Sequence, residues 1–83
     1  MTDEIREALA NYAHEAWSGW MVYMFNKATL NQDGSITIPC EFYTRWCRQS
    51  ETLYINLPEH EKESDRVEAD KILAILRGET IID

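Results

Sequence analysis

Arg45 and Arg48 stand three residues apart, interleaved with Tyr43 and Trp46 and followed by Tyr54, in a stretch where acids and bases balance. A guanidinium presents a planar fork that matches a phosphate or carboxylate, and an aromatic face can stack on a base or seat a cation. Together these residue types suit an anion joined to a flat ring. Aromatics at helical spacing more often line a core, so the two arginines carry most of this reading.

A second set lies near the N-terminus. At about 100° per residue, Ala10, His14, Trp17 and Met21 fall on one strip of a helix, away from the stripe formed by Ile5, Leu9, Tyr12, Ala13, Ala16, Trp20 and Tyr23. Such a strip can be ordinary core, or it can be a ligand pocket or subunit interface lined by His14 and Trp17. A third candidate is Asp65. The apolar positions Ala69, Ile72, Leu73 and Leu76, projected back one turn, land on it. A buried carboxylate needs a partner, so Asp65 is expected to be buried against Arg45, Arg48, His14 or backbone N–H groups.

Catalytic and metal patterns fail on spacing. His14 and His60 are each followed by Glu, but the fourth position beyond is Ser18 or Ser64, so the paired-histidine zinc motif is absent. No Glu precedes either histidine by three residues, as a carboxylate-bridged di-iron site requires. Asn31, Asp33 and Gly34 hint at a calcium loop, but its first and twelfth positions would be Thr29 and Cys40. There is no glycine-rich phosphate loop, and no nucleophile beside a recognisable base. The expectation is a binding protein that is not an enzyme and uses no metal or cofactor.

The elements that position these residues follow from local signals. Acids at Asp3 and Glu4 suit the start of a long first helix, ending near Lys27. Asn31–Ser35 is a turn sequence, and Ile36, Thr37 and Ile38 favour a short hairpin or extended arm. Pro39 can open a second helix with Phe42, Tyr43, Trp46 and Cys47 as its apolar stripe, stopping around Ser50. Thr52–Ile55 reads as extended. Asn56 with Glu59 reads as a capping box for a third helix, with Pro58 in its first turn and Arg77 and Gly78 at its end. Ile81 and Ile82 form a tail. The expected fold is a single all-α domain over residues 1–83, a compact three-helix bundle with a short β-turn or hairpin excursion between helices 1 and 2.

With 83 residues, a core usually supplies only about 3 to 5 kcal/mol. Cys40 and Cys47, seven residues apart in a helix, have Cα atoms roughly 10 Å apart, too far for a disulfide. They are expected to be reduced, small core residues, which leaves self-association as the added source of stability. The net charge is −7, with five acids against two bases in residues 1–38, two against two in 39–56 and eight against four in 57–83. That balance argues against wrapping nucleic acid. No stretch approaches 18 apolar residues and the N-terminus is acidic, so the protein is expected to be soluble, cytoplasmic and without a membrane partner.

The run Tyr54-Ile55-Asn56-Leu57-Pro58-Glu59-His60-Glu61-Lys62-Glu63-Ser64-Asp65-Arg66 resembles the closing motif of the ryanodine-receptor-type repeat domain found in bacterial and phage proteins. His14-Glu15-Ala16-Trp17 is similar to that family's opening helix, and the two together cover about half the chain. The whole also looks like short phage proteins that join such a helix to an Asp-Gly turn and a Trp-Arg-Gln segment, here Trp46, Cys47, Arg48 and Gln49. It departs from the family between Asn31 and Pro39, where the usual Gly-Pro and His-Pro elements are missing. The resemblance implies recognition of a nucleotide-derived ligand. In phages, similar domains sequester immune signalling nucleotides, acting as anti-defence sponges in the host cytoplasm. The expected ligand-binding set is then His14, Trp17, Tyr43, Arg45, Trp46, Arg48, Tyr54, Asp65 and Arg66, in a homo-oligomer. The competing expectation is an acidic inhibitor, anti-CRISPR-like or a nucleic-acid mimic, that docks on a host defence protein.

Overall fold

The computed structural model describes residues 2–78. Its elements run α1 (Thr2–Lys27), a two-stranded antiparallel hairpin β1 (Thr29–Leu30) and β2 (Ile36–Thr37), α2 (Cys40–Glu51), a 3-10 turn (Tyr54–Asn56) and α3 (Glu59–Leu76). This is the expected all-α chain of three helices with a β excursion between the first two. Ile81 and Ile82 lie outside the described residues.

The chain divides into two units that share α1: residues 17–57, and residues 1–16 with 58–83. In the 17–57 unit, the hairpin register pairs Thr29 with Thr37 and Leu30 with Ile36. Asn31 Nδ2 donates to Ser35 Oγ at 3.0 Å and to Thr37 Oγ1 at 2.9 Å, while Ser35 N–H donates to Asp33 Oδ1 at 3.0 Å. Gly34 takes φ +90°, a conformation natural to glycine. The Asp33 carboxylate is thus spent on closing a turn, and Ser35 holds its carboxyl below the usual carboxylate range. Among the described residues no cluster of His, Cys, Asp and Glu could hold a metal ion.

Pro39 caps α2 with φ −55° and ψ 143° and lends its carbonyl to the N–H groups of Phe42 and Tyr43 at 3.0 and 3.1 Å. At the other end, Ser50 Oγ donates to the Cys47 carbonyl at 2.9 Å and Thr52 Oγ1 to the Arg48 carbonyl at 2.6 Å, satisfying carbonyls that a helix terminus leaves open. The segment after α2 is not extended throughout: Tyr54–Asn56 closes a 3-10 turn in which Leu57 N–H bonds the Tyr54 carbonyl at 3.0 Å. Leu57 is buried.

In the other unit, α3 starts two residues later than a capping box at Asn56 requires. Pro58 is its cap, and the Pro58 carbonyl accepts from Glu61 and Lys62, each at 3.0 Å. Asn56 belongs to the preceding 3-10 turn and makes no side-chain cap bond. Gly78, at φ +72°, ends the helix as expected. The Tyr12 hydroxyl of α1 donates to the Glu68 carboxylate of α3. Burial and that carboxylate push Tyr12 up to about 12.

The buried side of α3 differs from the expected one. Glu61 and Ile75 are buried and Glu68 is half-buried, so the inward line steps by seven residues. The stripe read from apolar residues lies about 90° round from it. Ile72, Leu73 and Leu76 are 37%, 46% and 51% exposed. Asp65, on the flank of that stripe, is exposed, which corrects the expectation of a buried carboxylate. Cys40 is exposed and Cys47 half-buried, both free, so neither is the core residue expected. Among the described residues no helix is long and apolar enough to cross a membrane.

Candidate aromatic and basic site

The 17–57 unit gathers three of its aromatic rings beside two cations. Trp46 of α2 meets Tyr23 of α1 edge-on, with centroids 6.3 Å apart, and lies tilted against Phe42 at 5.6 Å. The Lys27 ammonium, in the last turn of α1, stands 5.3 Å from the Tyr23 centroid and 5.6 Å from the Phe42 centroid. The Arg45 guanidinium carbon is 5.4 Å from the Phe42 centroid, and Arg45 Nη2 donates to the Tyr23 hydroxyl at 3.5 Å. That hydrogen bond is the main reason Tyr23 lies below the usual tyrosine range, and its oxygen, acting as acceptor, keeps its proton available to another group.

Position on α2 explains the grouping. Helical geometry puts Phe42 and Trp46 in the middle of the face that meets α1, Arg45 about 80° to one side with Arg48 a further 60° round, and Tyr43 with Cys47 on the opposite flank. Phe42 and Trp46 are half-buried; Arg45 and Arg48 are exposed. Tyr43 is 62% exposed and bonded to Cys47, which raises its hydroxyl above the ordinary value.

Of the residues singled out in the sequence, Arg45 and Trp46 are brought together, and Arg48 stands one step round the same helix. Tyr43 looks to the far flank. Tyr54 is 48% exposed in the 3-10 turn. Trp17, in the same unit, is 56% exposed and sits about 100° round α1 from Tyr23 and Lys27. His14, Asp65 and Arg66 belong to the other unit, where His14 and Asp65 are exposed and Arg66 Nη1 is bound to Glu59 at 3.0 Å and Glu63 at 3.4 Å. Arg66 thus holds the Glu59 carboxyl below its usual range.

Tyr23, Lys27 and Phe42 are site residues that the sequence reading missed. By sequence pattern Tyr23 and Phe42 are stripe residues and Lys27 is a helix end. Their spacing of four residues on α1, Tyr23 to Lys27, was the available signal, since a tyrosine and a lysine one turn apart share a face.

The chemistry on offer is recognition of an anion carried by a flat ring. Among the described residues no carboxylate pairs with Lys27 or Arg45, whose neighbours are aromatic faces and one phenol. No family model, no curated protein and no solved structure matches the chain.

Proposed function

We propose that the chain is a non-catalytic binding protein for a nucleotide-derived ligand, held at the Tyr23, Lys27, Phe42, Arg45 and Trp46 cluster. The observation that carries this is the pair of cations seated on aromatic rings without a carboxylate partner among the described residues, in a chain of net charge −7. A protein with almost twice as many acids as bases can neutralise a surface cation at little cost. Two left to aromatic faces suit an incoming anion, and the rings beside them suit a base. The resemblance to ryanodine-receptor-type repeat domains supports the same class of ligand and suggests a phage protein that sequesters an immune signalling nucleotide in the host cytoplasm, as a homo-oligomer.

Thermal denaturation against a panel of cyclic and ADP-ribose nucleotides tests the reading, because a ligand that binds only the folded state raises Tm. A hit should be lost in Arg45→Ala. A panel without any shift, up to millimolar ligand, would contradict it.

A second reading rests on the other unit. Residues 1–16 and 58–83 hold twelve acids against five bases, the whole of the net −7. A surface of that kind can cover a basic patch on a host defence protein. Neutralising Glu59 or Glu63 would then weaken the complex, and added salt would do so steeply.

A further inference from the structure

From Ala16 to Gln32 the chain contains no acid at all, and Lys27 is its one charged residue. This is the C-terminal half of α1 and the start of the hairpin. Tyr23 and Lys27 spend one side of that half-helix on α2. The opposite side is also apolar. Trp17, Met21 and Phe25 lie one turn apart from each other, and Ser18 and Val22 follow the same step beside them. Trp17, Val22 and Phe25 are 56%, 55% and 55% exposed, and Met21 is half-buried. A helix that is apolar all round is ordinarily covered all round.

We infer that this strip of α1 is the surface on which a second copy of the chain docks, α1 against α1 in antiparallel sense with the crossing near Met21. Charge selects the occupant and the sense. The net charge of −7 falls entirely on residues 1–16 and 58–83, so two copies meet with least like-charge repulsion away from them, and the acid-free stretch from Ala16 to Gln32 is such a place. A parallel pairing would set Asp3, Glu4, Glu7 and Glu15 of both copies side by side. An antiparallel pairing sends them to opposite ends of a crossing whose helices are each about 39 Å long. Such a contact is isologous and closes at two copies, as most homo-oligomers do. Crossing at Met21 brings Trp17 of one copy level with Phe25 of the other, and Ser18 keeps the approach close.

Area is in range. Half-exposed Trp and Phe side chains offer roughly 100 to 150 Å² each, so Trp17 and Phe25 with the smaller Val22 and the half-buried Met21 supply about 350 Å² per copy. Over two copies that is about 700 Å², and the flanking residues any docking adds bring it toward the ~1,000 Å² a specific interface needs.

This inference deepens the homo-oligomeric part of the reading above and is independent of the ligand. Sedimentation equilibrium from 5 to 200 µM should give twice the chain mass of 9.7 kDa for the unaltered protein and a single chain for Phe25→Glu and for Val22→Glu, with helical circular dichroism retained. Should either variant fail to fold, Met21→Cys in a Cys40→Ser, Cys47→Ser background decides: a dimer crossing at Met21 forms an intermolecular disulfide on mild oxidation, and the parent does not. A monomer at 200 µM, a dimer that survives both glutamates, or a Met21→Cys protein that stays uncrosslinked would overturn the proposal. The first of these results would leave the strip to a different protein. Nucleotide titration of Phe25→Glu separates the two ideas, because its aromatic and basic cluster lies on the other side of α1 and should bind as before.

Discussion

The two units that share α1 are made of different material. Residues 17–57 hold eight of the nine aromatic side chains and balance three acids with three bases; residues 1–16 and 58–83 hold one aromatic, Tyr12, and all of the net charge. In the first, cations are seated on rings. In the second, they are seated on carboxylates, as Arg66 with Glu59 and Glu63 and Lys71 with Glu68 at 3.7 Å. The lesson concerns availability. A cation already paired to carboxylates gains little from one more anion, whereas one resting on an aromatic face gains a partner it lacks. The resemblance would put Arg66 in a ligand-binding set, whereas its ion pairs with Glu59 and Glu63 make Arg45 the more available cation.

The comparison can be broken most forcefully through the acidic unit's packing. Ile75 is the buried apolar side chain among its described residues, so Ile75→Ala should lower stability by about 2 to 4 kcal/mol in thermal or urea denaturation. A change below about 0.5 kcal/mol would show that α3 is not held by that line of residues.

Alkali should sharpen it next. Tyr12, raised to about 12 in the folded chain against about 10 unfolded, contributes stability that is complete below pH 10 and is lost as pH climbs through 12. With allowance for solvent screening at a half-exposed phenol the loss is about 1 to 2 kcal/mol. Melts at pH 9 and pH 11.5 should therefore differ less in Tyr12→Phe than in the parent. A pH dependence identical in both would remove the Tyr12 to Glu68 bond from the account.

A smaller effect is expected in the aromatic unit. Arg45→Ala should let the Tyr23 hydroxyl return upward, seen as a tyrosinate absorbance rising at higher pH, with stability changed by less than about 0.5 kcal/mol. Arg45→Lys should not restore the parent titration, because a point charge lacks the fork. The smallest effect belongs to Asp65→Ala, which should melt within about 0.5 kcal/mol of Asp70→Ala, both positions being exposed. A clear gap between them would reinstate Asp65 as a structural carboxylate.

Local chemistry was legible in the sequence where one residue decides a backbone conformation. Pro39 before α2, the Asn31–Ser35 turn and Gly78 after α3 all stand where their types predict. The buried side of α3 was not legible. Apolar residues at 69, 72, 73 and 76 define a stripe, yet the line that faces inward runs through Glu61, Glu68 and Ile75, because a partner's hydroxyl and not only apolar area decides what is turned in. Asn56 misled for a related reason: a capping box and a 3-10 turn use the same residue types, and Pro58 admits either. One of the two boundaries between the units, that between Ala16 and Trp17, was hidden altogether, since it falls inside the continuous helix α1 and leaves no linker composition behind. At the site, Arg45 and Trp46 were legible from type and spacing. Tyr23 and Lys27 were not, because they arrive from another helix.

The most direct test of ring-seated cations as the binding device is isothermal titration of one nucleotide hit against the parent, Arg45→Ala and Glu63→Gln. Loss of a charge-assisted bond should weaken Arg45→Ala by about 1.5 to 3 kcal/mol, roughly tenfold to a hundredfold in Kd, and leave Glu63→Gln at the parental value. Unchanged affinity in Arg45→Ala, or a loss confined to Glu63→Gln, would contradict the account.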